Sequence, residues 1–279
     1  MPKRLSEAQV SGYHEQGFVS PVPVFGADTA ARLRAELERN EAKAGHPLDF
    51  PEKSKSYLLY NWADELVHHP AILDAVEDLI GSDILVYHST TWIKEPKTPS
   101  YVLWHQDGKY FHLEPRLHVT AWIALSDVSV ESGCMHVLPG SHQWGDFDHV
   151  DDTGEWNMIK RGQGIPNRFD HEVGAPMALK PGEMSLHHTD LVHCSHGNAG
   201  DDRRIGLGIS YIPASVVQNG HPRRTALLVR GRAVPGGFGE EARLKHEMSE
   251  EAKHAHGYSV GLFRALQDAG AVFLEEKAS

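Results

Sequence analysis

Cysteine is almost absent from this chain. Only Cys134 and Cys194 occur in 279 residues, too few for a disulfide framework or a thiolate zinc site, and in keeping with a reducing compartment. Basic residues are also scarce: 27 Lys and Arg stand against 38 Asp and Glu, a formal charge of −11, which argues against a broad cationic face for nucleic acid or anionic lipid. No apolar run approaches the roughly 18 residues of a membrane span. Leu5-Ser6-Glu7-Ala8-Gln9 after the basic start is too polar for a signal peptide. These absences lead to the expectation of a cytoplasmic protein whose partner is a small molecule, with no nucleic acid and no membrane. What remains is globular, 40% hydrophobic and 23% charged, and fits one large domain over residues 1–279. Histidine is the excess. Its 20 copies raise the prospect of metal chemistry, because imidazole is the commonest protein metal ligand.

Helical signals dominate the first 82 residues. Ser6 reads as an N-cap with Gly17 as the stop, Asp28 as a cap for the stretch up to Ala44 before Gly45, and a third helix spans roughly Pro70 to Ile80. At Ile84 the pattern changes to β-branched and aromatic residues through Ile93. Further strands are expected at Leu117 to Leu125, Met135 to Leu138, Met177 to Leu179, Met184 to His187, Leu191 to Cys194 and Arg204 to Ile212. Pro-Gly and Gly-Asn-Ala-Gly turns separate them. Many short strands without helices between them suggest a jelly roll over about 83–214. The tail from about 236 is again helix-compatible, at Ala242 to Ala255 and Val260 to Leu266. Between His142 and Pro176 lies a polar stretch with little periodicity, longer than a structural connection needs, which reads as a lid.

Ferrous iron that must also hold a chelating cosubstrate and oxygen takes two His and one carboxylate on one face. The His-x-Asp triplet that often supplies two of these occurs three times, at His105-Gln106-Asp107, His149-Val150-Asp151 and His188-Thr189-Asp190. The middle copy sits in an acidic, irregular run and reads as a solvated loop. The third lies too close to His193 for all ligands to come from one segment, whereas a jelly roll can bring an early pair and a late His together. In Arg204 to Tyr211 the strand period places Ile205, Leu207, Ile209 and Tyr211 on one face and Arg204, Gly206, Gly208 and Ser210 on the other. Glycine in a strand marks a close approach, by ligand or by packing, and a guanidinium suits a carboxylate. A dicarboxylate would fit there.

In this order the blocks His105-Gln106-Asp107 with Tyr110-Phe111, Thr120 to Leu125, Glu131 to Met135 with Leu138-Pro139-Gly140-Ser141-His142, and Pro181 through His193 to Arg204 resemble the phytanoyl-CoA dioxygenase family of iron(II)- and 2-oxoglutarate-dependent oxygenases. The resemblance covers about 84–213. It implies a mainly β fold with flanking α-helices around a double-stranded β-helix, cupin-like core. It further implies His105, Asp107 and His193 as ligands of Fe(II), 2-oxoglutarate and O2 as cosubstrates, and Arg204 on the distal carboxylate of 2-oxoglutarate. Trp122 and Trp92 fall at family cosubstrate-contact positions. Halogenases of similar sequence replace the motif aspartate by Ala or Gly; Asp107 is present, so hydroxylation of an unactivated C–H of a small polar or anionic substrate is expected, with release of succinate and CO2.

Two rival readings are a cupin-like metal isomerase or hydrolase and a non-enzymatic metabolite-binding jelly roll. Among the remaining histidines, His68, His69 and His142 read as structural, and His254 and His256 as solvated. Either His187 or His188 must face inward if their strand continues, near enough to touch the ligands or the substrate. Within the lid, Trp144, Trp156, Arg161 and Arg168 offer apolar and cationic groups to a substrate acid.

Overall fold

A computed structural model describes residues 2–152, 154–159, 163–166, 169 and 173–278, with side chains through 265. The chain opens with α1 (Glu7–Gln16), closed at its start by a capping box between Ser6 and Gln9 and at its end by Gly17 in the left-handed region. Strand β1 (Phe18–Pro23) follows, where sequence alone suggested only helix. Its two prolines hid it, since proline is tolerated only where no ladder N–H is needed. β1 is indeed the edge of its sheet, with both prolines exposed. Helix α2 (Ala27–Ala44) is capped by Gly26 rather than Asp28, which lies in its first turn, and ends at Gly45 as expected. Helices α3 (Asn61–Val67) and α4 (Pro70–Ile80) complete the layer.

The β region runs β2 (Ile84–Lys94), β3 (Val102–His105), the one-turn α5 (Gly108–Phe111), β4 (Leu113–Glu114), β5 (Val119–Ala124) and β6 (Met135–Val137). After the short strands β7 (Val150–Asp151) and β8 (Gln163–Gly164) come β9 (Ala175–Met177), β10 (Glu183–His188), β11 (His193–Ser195) and β12 (Arg204–Pro213). Strands β13 (Val217–Gln218), β14 (Thr225–Arg230) and β15 (Gly239–Glu240) precede α6 (Glu250–Ala278). The last helix is continuous and begins later than the two helical patches suggested. His256, expected in solvent, is buried and its Nε2 meets the Ser54 carbonyl at 2.8 Å.

Two antiparallel sheets make the barrel. The larger has seven strands in the order β1-β10-β5-β12-β2-β14-β15, with only β14 and β15 parallel; the smaller is β3-β11-β6-β9. Every residue of β12 is buried, because it pairs with β5 on one side and β2 on the other. Its outward residues Ile205, Leu207, Ile209 and Tyr211 join Trp62, Leu66, Ile72 and Val76 of the helical layer in the main core. The opposite face of β12 looks into the barrel, and that asymmetry turns the polar and glycine positions toward the site.

Candidate metal and cosubstrate site

His105 and His193 are register partners on adjacent strands of the small sheet. Each donates its Nδ1–H to a carbonyl two residues back, His105 to Leu103 at 2.8 Å and His193 to Leu191 at 2.9 Å. That fixes the tautomer and leaves both Nε2 lone pairs free. Asp107 stands where β3 turns into α5, and its Oδ1 lies 3.5 Å from His105 Nε2 and 3.9 Å from His193 Nε2. All three donor atoms fall within 4.8 Å of one another, a nitrogen-nitrogen-oxygen face of the kind that holds ferrous iron with positions to spare.

The other carboxylate oxygen is gripped separately. The Thr120 hydroxyl donates to Asp107 Oδ2 at 3.2 Å, and His187 Nε2 lies 3.6 Å from the same atom. Because an ionised carboxylate only accepts, the hydroxyl proton of Thr120 is committed to Asp107. Its lone pair then accepts from His118 Nε2–H at 3.0 Å, and His118 Nδ1 accepts from Thr189 O–H at 2.9 Å. Burial pushes the His118 imidazole down to about 3, so the ring is neutral as this chain requires. Burial opposes the Asp107 charge, but the adjacent imidazoles of His105, His187 and His193 hold it well below the usual carboxylate range.

Arg204 is expected to meet a dicarboxylate, and its surroundings fit. The side chain is 3% exposed, donates from Nη1 to the Gly133 carbonyl at 3.1 Å, and leaves Nε without an acceptor. Among the described residues, no carboxylate pairs with it. Directly across the ladder is Lys94, fully buried, which donates to Ser195 Oγ at 2.8 Å and to the His196 carbonyl. Burial and Arg204 push the Lys94 amine down to about 6. Sequence reasoning missed Lys94, although it lies two residues past Trp92 and therefore on the same strand face. His118 and Thr120 were legible in the same way, counting back by two from Trp122.

The two glycines of β12 have a more exact role than open space for a ligand. A β-carbon on Gly206 would come 2.1 Å from the Trp122 ring, and one on Gly208 would come 3.3 Å from Trp92 Nε1. The space is filled by the two indoles, which pack together with Cys134, Val128 and Leu179. Trp122 also lies under the Arg204 guanidinium, 5.2 Å from ring centroid to carbon. Trp92 and Trp122 thus wall the Arg204 end of the barrel.

The other two triplets bind elsewhere. His149 accepts from the backbone N–H of Gln106 at 3.0 Å and donates to the Phe147 carbonyl at 2.9 Å, so it braces the first triplet rather than standing in solvent. Gln106 donates to the Gly145 and Asp190 carbonyls and accepts from Phe147 N–H, which ties the foot of the expected lid to the middle of the His-x-Asp motif. Asp190 pairs with Arg116 at 3.0 Å. His188 accepts from Asp190 N–H at 3.1 Å, and it is His187 that faces inward. Trp144 and Trp156 are exposed; Arg161 and Arg168 lie outside the described residues. His142 meets the His14 carbonyl at 3.1 Å, a structural contact as expected, and His68 Nδ1 meets that of Asp64 at 2.9 Å.

A β-barrel with an open nitrogen-oxygen metal face beside a buried cationic recess defines the class of non-heme iron oxygenases that take an acidic cosubstrate. Comparison with known proteins narrows this. The phytanoyl-CoA dioxygenase (PhyH) family profile matches residues 13–206, and the chain belongs to that family. A probable alpha-ketoglutarate-dependent hypophosphite dioxygenase of Stutzerimonas stutzeri is 26% identical over 72% of this chain and 77% of its own length. Human peroxisomal phytanoyl-CoA dioxygenase is 32% identical over 52% of this chain, which spans 44% of that longer protein. The solved structure of the non-heme monooxygenase ThoJ superposes with a TM-score of 0.83 at 30% identity, over 94% of this chain and 98% of that one. The protein is an oxidoreductase of the iron(II)- and 2-oxoglutarate-dependent type, with O2 as its second cosubstrate. Hydrolytic and purely binding readings are thereby set aside. No described helix is long and apolar enough to cross a membrane.

Proposed function

We propose that the chain is a single oxygenase domain in which His105 and His193, through Nε2, and Asp107, through Oδ1, hold Fe(II). Lys94 and Arg204 receive the distal carboxylate of 2-oxoglutarate between Trp92 and Trp122. The product is a hydroxylated small polar or anionic substrate, formed with succinate and CO2 in a reducing, cytoplasmic setting. The observation that carries this reading is the convergence of two oriented Nε2 atoms and one carboxylate oxygen within 4.8 Å, beside a buried guanidinium that lacks an anion. Both features fit the groups proposed to fill them.

Bound iron and 2-oxoglutarate supply oxygen activation and removal of the substrate hydrogen. The residues supply position. The carbonyls of Leu103 and Leu191 aim the imidazoles. Thr120 and His187 hold Asp107 Oδ2 away from the metal face, favouring monodentate ligation through Oδ1. Three protein donors would leave further positions on a bound ferrous ion for cosubstrate and oxygen. An intact Asp107 leaves no vacated position for a halide, which favours hydroxylation over halogenation. Buried Trp122 and half-buried Trp92 wall the cosubstrate off from water, and a low dielectric strengthens its pairing with Arg204. Relatives act on chemically diverse compounds, among them the proline implied by the name of the Streptomyces griseoviridis L-proline trans-4-hydroxylase. A small polar acid is the class favoured for this chain.

Anaerobic addition of Fe(II) and 2-oxoglutarate tests the assignment. A weak visible charge-transfer band should require both and should vanish in His193→Ala. A band that persists unchanged in that variant would overturn the ligand set.

A further inference from the structure

Among the described residues, four Lys or Arg side chains are fully buried: Lys55, Lys94, Arg204 and Arg224. Removing a cation from water is costly unless an anion or several acceptors replace the solvent. Lys55 is compensated by Glu241 at 2.5 Å. Lys94 and Arg204 sit together at the end of the barrel assigned above to 2-oxoglutarate. Arg224, 1% exposed, has neither an acid partner among the described residues nor a place in that assignment.

Its guanidinium is clamped between the rings of Tyr87 and Phe263, at 4.1 and 4.2 Å from their centroids. Nη2 points to His88 Nδ1 at 3.4 Å, while Nε and Nη1 meet no acceptor. Glu241, the acid whose charge reaches it, is already engaged by Lys55, Tyr57, Thr225 and Ser259. Arg224 therefore carries the same signature as Arg204: a buried, aromatic-backed guanidinium with unused donors and, among the described residues, no paired acid.

Position gives the signature its meaning. The Tyr87 hydroxyl donates to the Phe111 carbonyl, and Phe111 ends the α5 turn that starts directly after Asp107. The Phe111 ring packs on His118 at 4.9 Å, the residue that supports Thr120 and through it Asp107. His88, the immediate neighbour of Arg224, lies at the middle of β2, and Lys94, the neighbour of Arg204, ends it, about 20 Å further along the strand. Ser210 pairs with both His88 and Thr120, so Arg224 reaches the barrel at the level of the Asp107 support, while Arg204 marks its far end.

We propose that Arg224 recognises the primary substrate, and that this substrate is a small carboxylate or other oxyanion. Its acid end seats on Nε and Nη1, which directs the remainder of the molecule toward His105, Asp107 and His193. The assignment rests on the oxygenase reading and names its substrate class.

Two measurements test it. The first follows the visible band of the anaerobic Fe(II) and 2-oxoglutarate complex during titration with acid and amide pairs: L-proline and L-prolinamide, hexanoate and hexanamide, benzoate and benzamide. At least one acid should perturb the band with an affinity tenfold or more above that of its amide. Arg224→Gln should raise the half-saturating acid concentration at least tenfold without moving the 2-oxoglutarate titration. If no acid perturbs the band, if amides do so equally, or if Arg224→Gln responds as wild type does, Arg224 is not the recognition group. The second measurement needs no metal: Arg224→Met should melt at or above the wild-type temperature, because it removes an uncompensated buried charge. A clear drop would make Arg224 a structural clamp and overturn the proposal. Failure to form the band at all, with the melting result as expected, would instead count against the oxygenase reading.

Discussion

The two sheets of the barrel divide the work. The small sheet is built of strands of three or four residues, yet it carries both histidines of the proposed metal face, locked by register and by their own backbone carbonyls. The large sheet has strands of up to eleven residues and supplies the proposed anion end: Lys94, Arg204, and two indoles lying over glycines. Metal geometry comes from short-range hydrogen bonds, which a few residues suffice to make. The proposed cosubstrate recess depends on packing across three strands of the large sheet, so a shift in any one of them should impair it. Asp107 belongs to neither sheet but is braced from both, by the turn after β3 and by Thr120 and His187 of β5 and β10.

Breaking the small-sheet half should have the largest effect. His105→Ala, Asp107→Ala or His193→Ala should each abolish iron-dependent turnover with folding retained, measured as product formation alongside circular dichroism. His149→Ala should keep bound metal, since that ring only braces Gln106. In the large sheet, Arg204→Met removes the partner of a buried charge. A cost of about 2 to 5 kcal/mol predicts 2-oxoglutarate binding weakened by tens-fold or more in a calorimetric titration. Thr120→Val, isosteric but without the hydroxyl, frees Asp107 Oδ2 and should weaken Fe(II) affinity by about 10- to 100-fold, with Thr120→Ser restoring it. Gly206→Ala drives a β-carbon into Trp122 and should cost about 1 to 3 kcal/mol of stability by overpacking, seen in the denaturant midpoint together with weaker 2-oxoglutarate binding.

The smallest effect expected is one of pH. Burial beside Arg204 holds the Lys94 amine at about 6, so in the free protein it loses its charge as pH rises through that value. A bound dianion favours the charged form and raises the pKa, so cosubstrate binding takes up a proton. Affinity for 2-oxoglutarate should then fall between pH 6 and 8, and Lys94→Met should flatten the dependence.

The sequence reveals the parts of this design that are local. His-x-Asp, the period-two strand after His193, and the caps at Ser6, Gly17 and Gly45 each lie within a few residues, and the structure places them as expected. What escaped depends on pairing between distant segments. β1 carries prolines and looks like a loop until β10 is known to lie beside it. Lys94 looks like the end of a strand until Arg204 is placed opposite. Gly206 looks like room for a ligand until Trp122, across the ladder, fills it. Three His-x-Asp triplets look alike in sequence, and only the fold shows that His149 holds Gln106 while Asp190 pairs with Arg116.

The claim that the two sheets contribute separable halves of one centre is tested most directly by titrating Fe(II) and then 2-oxoglutarate, without oxygen, into wild type, His193→Ala and Arg204→Met. The account predicts one equivalent of metal in wild type and in Arg204→Met but none in His193→Ala, with the visible band of Arg204→Met appearing only at much higher 2-oxoglutarate. Loss of metal from Arg204→Met, or a wild-type 2-oxoglutarate titration in that variant, would contradict it.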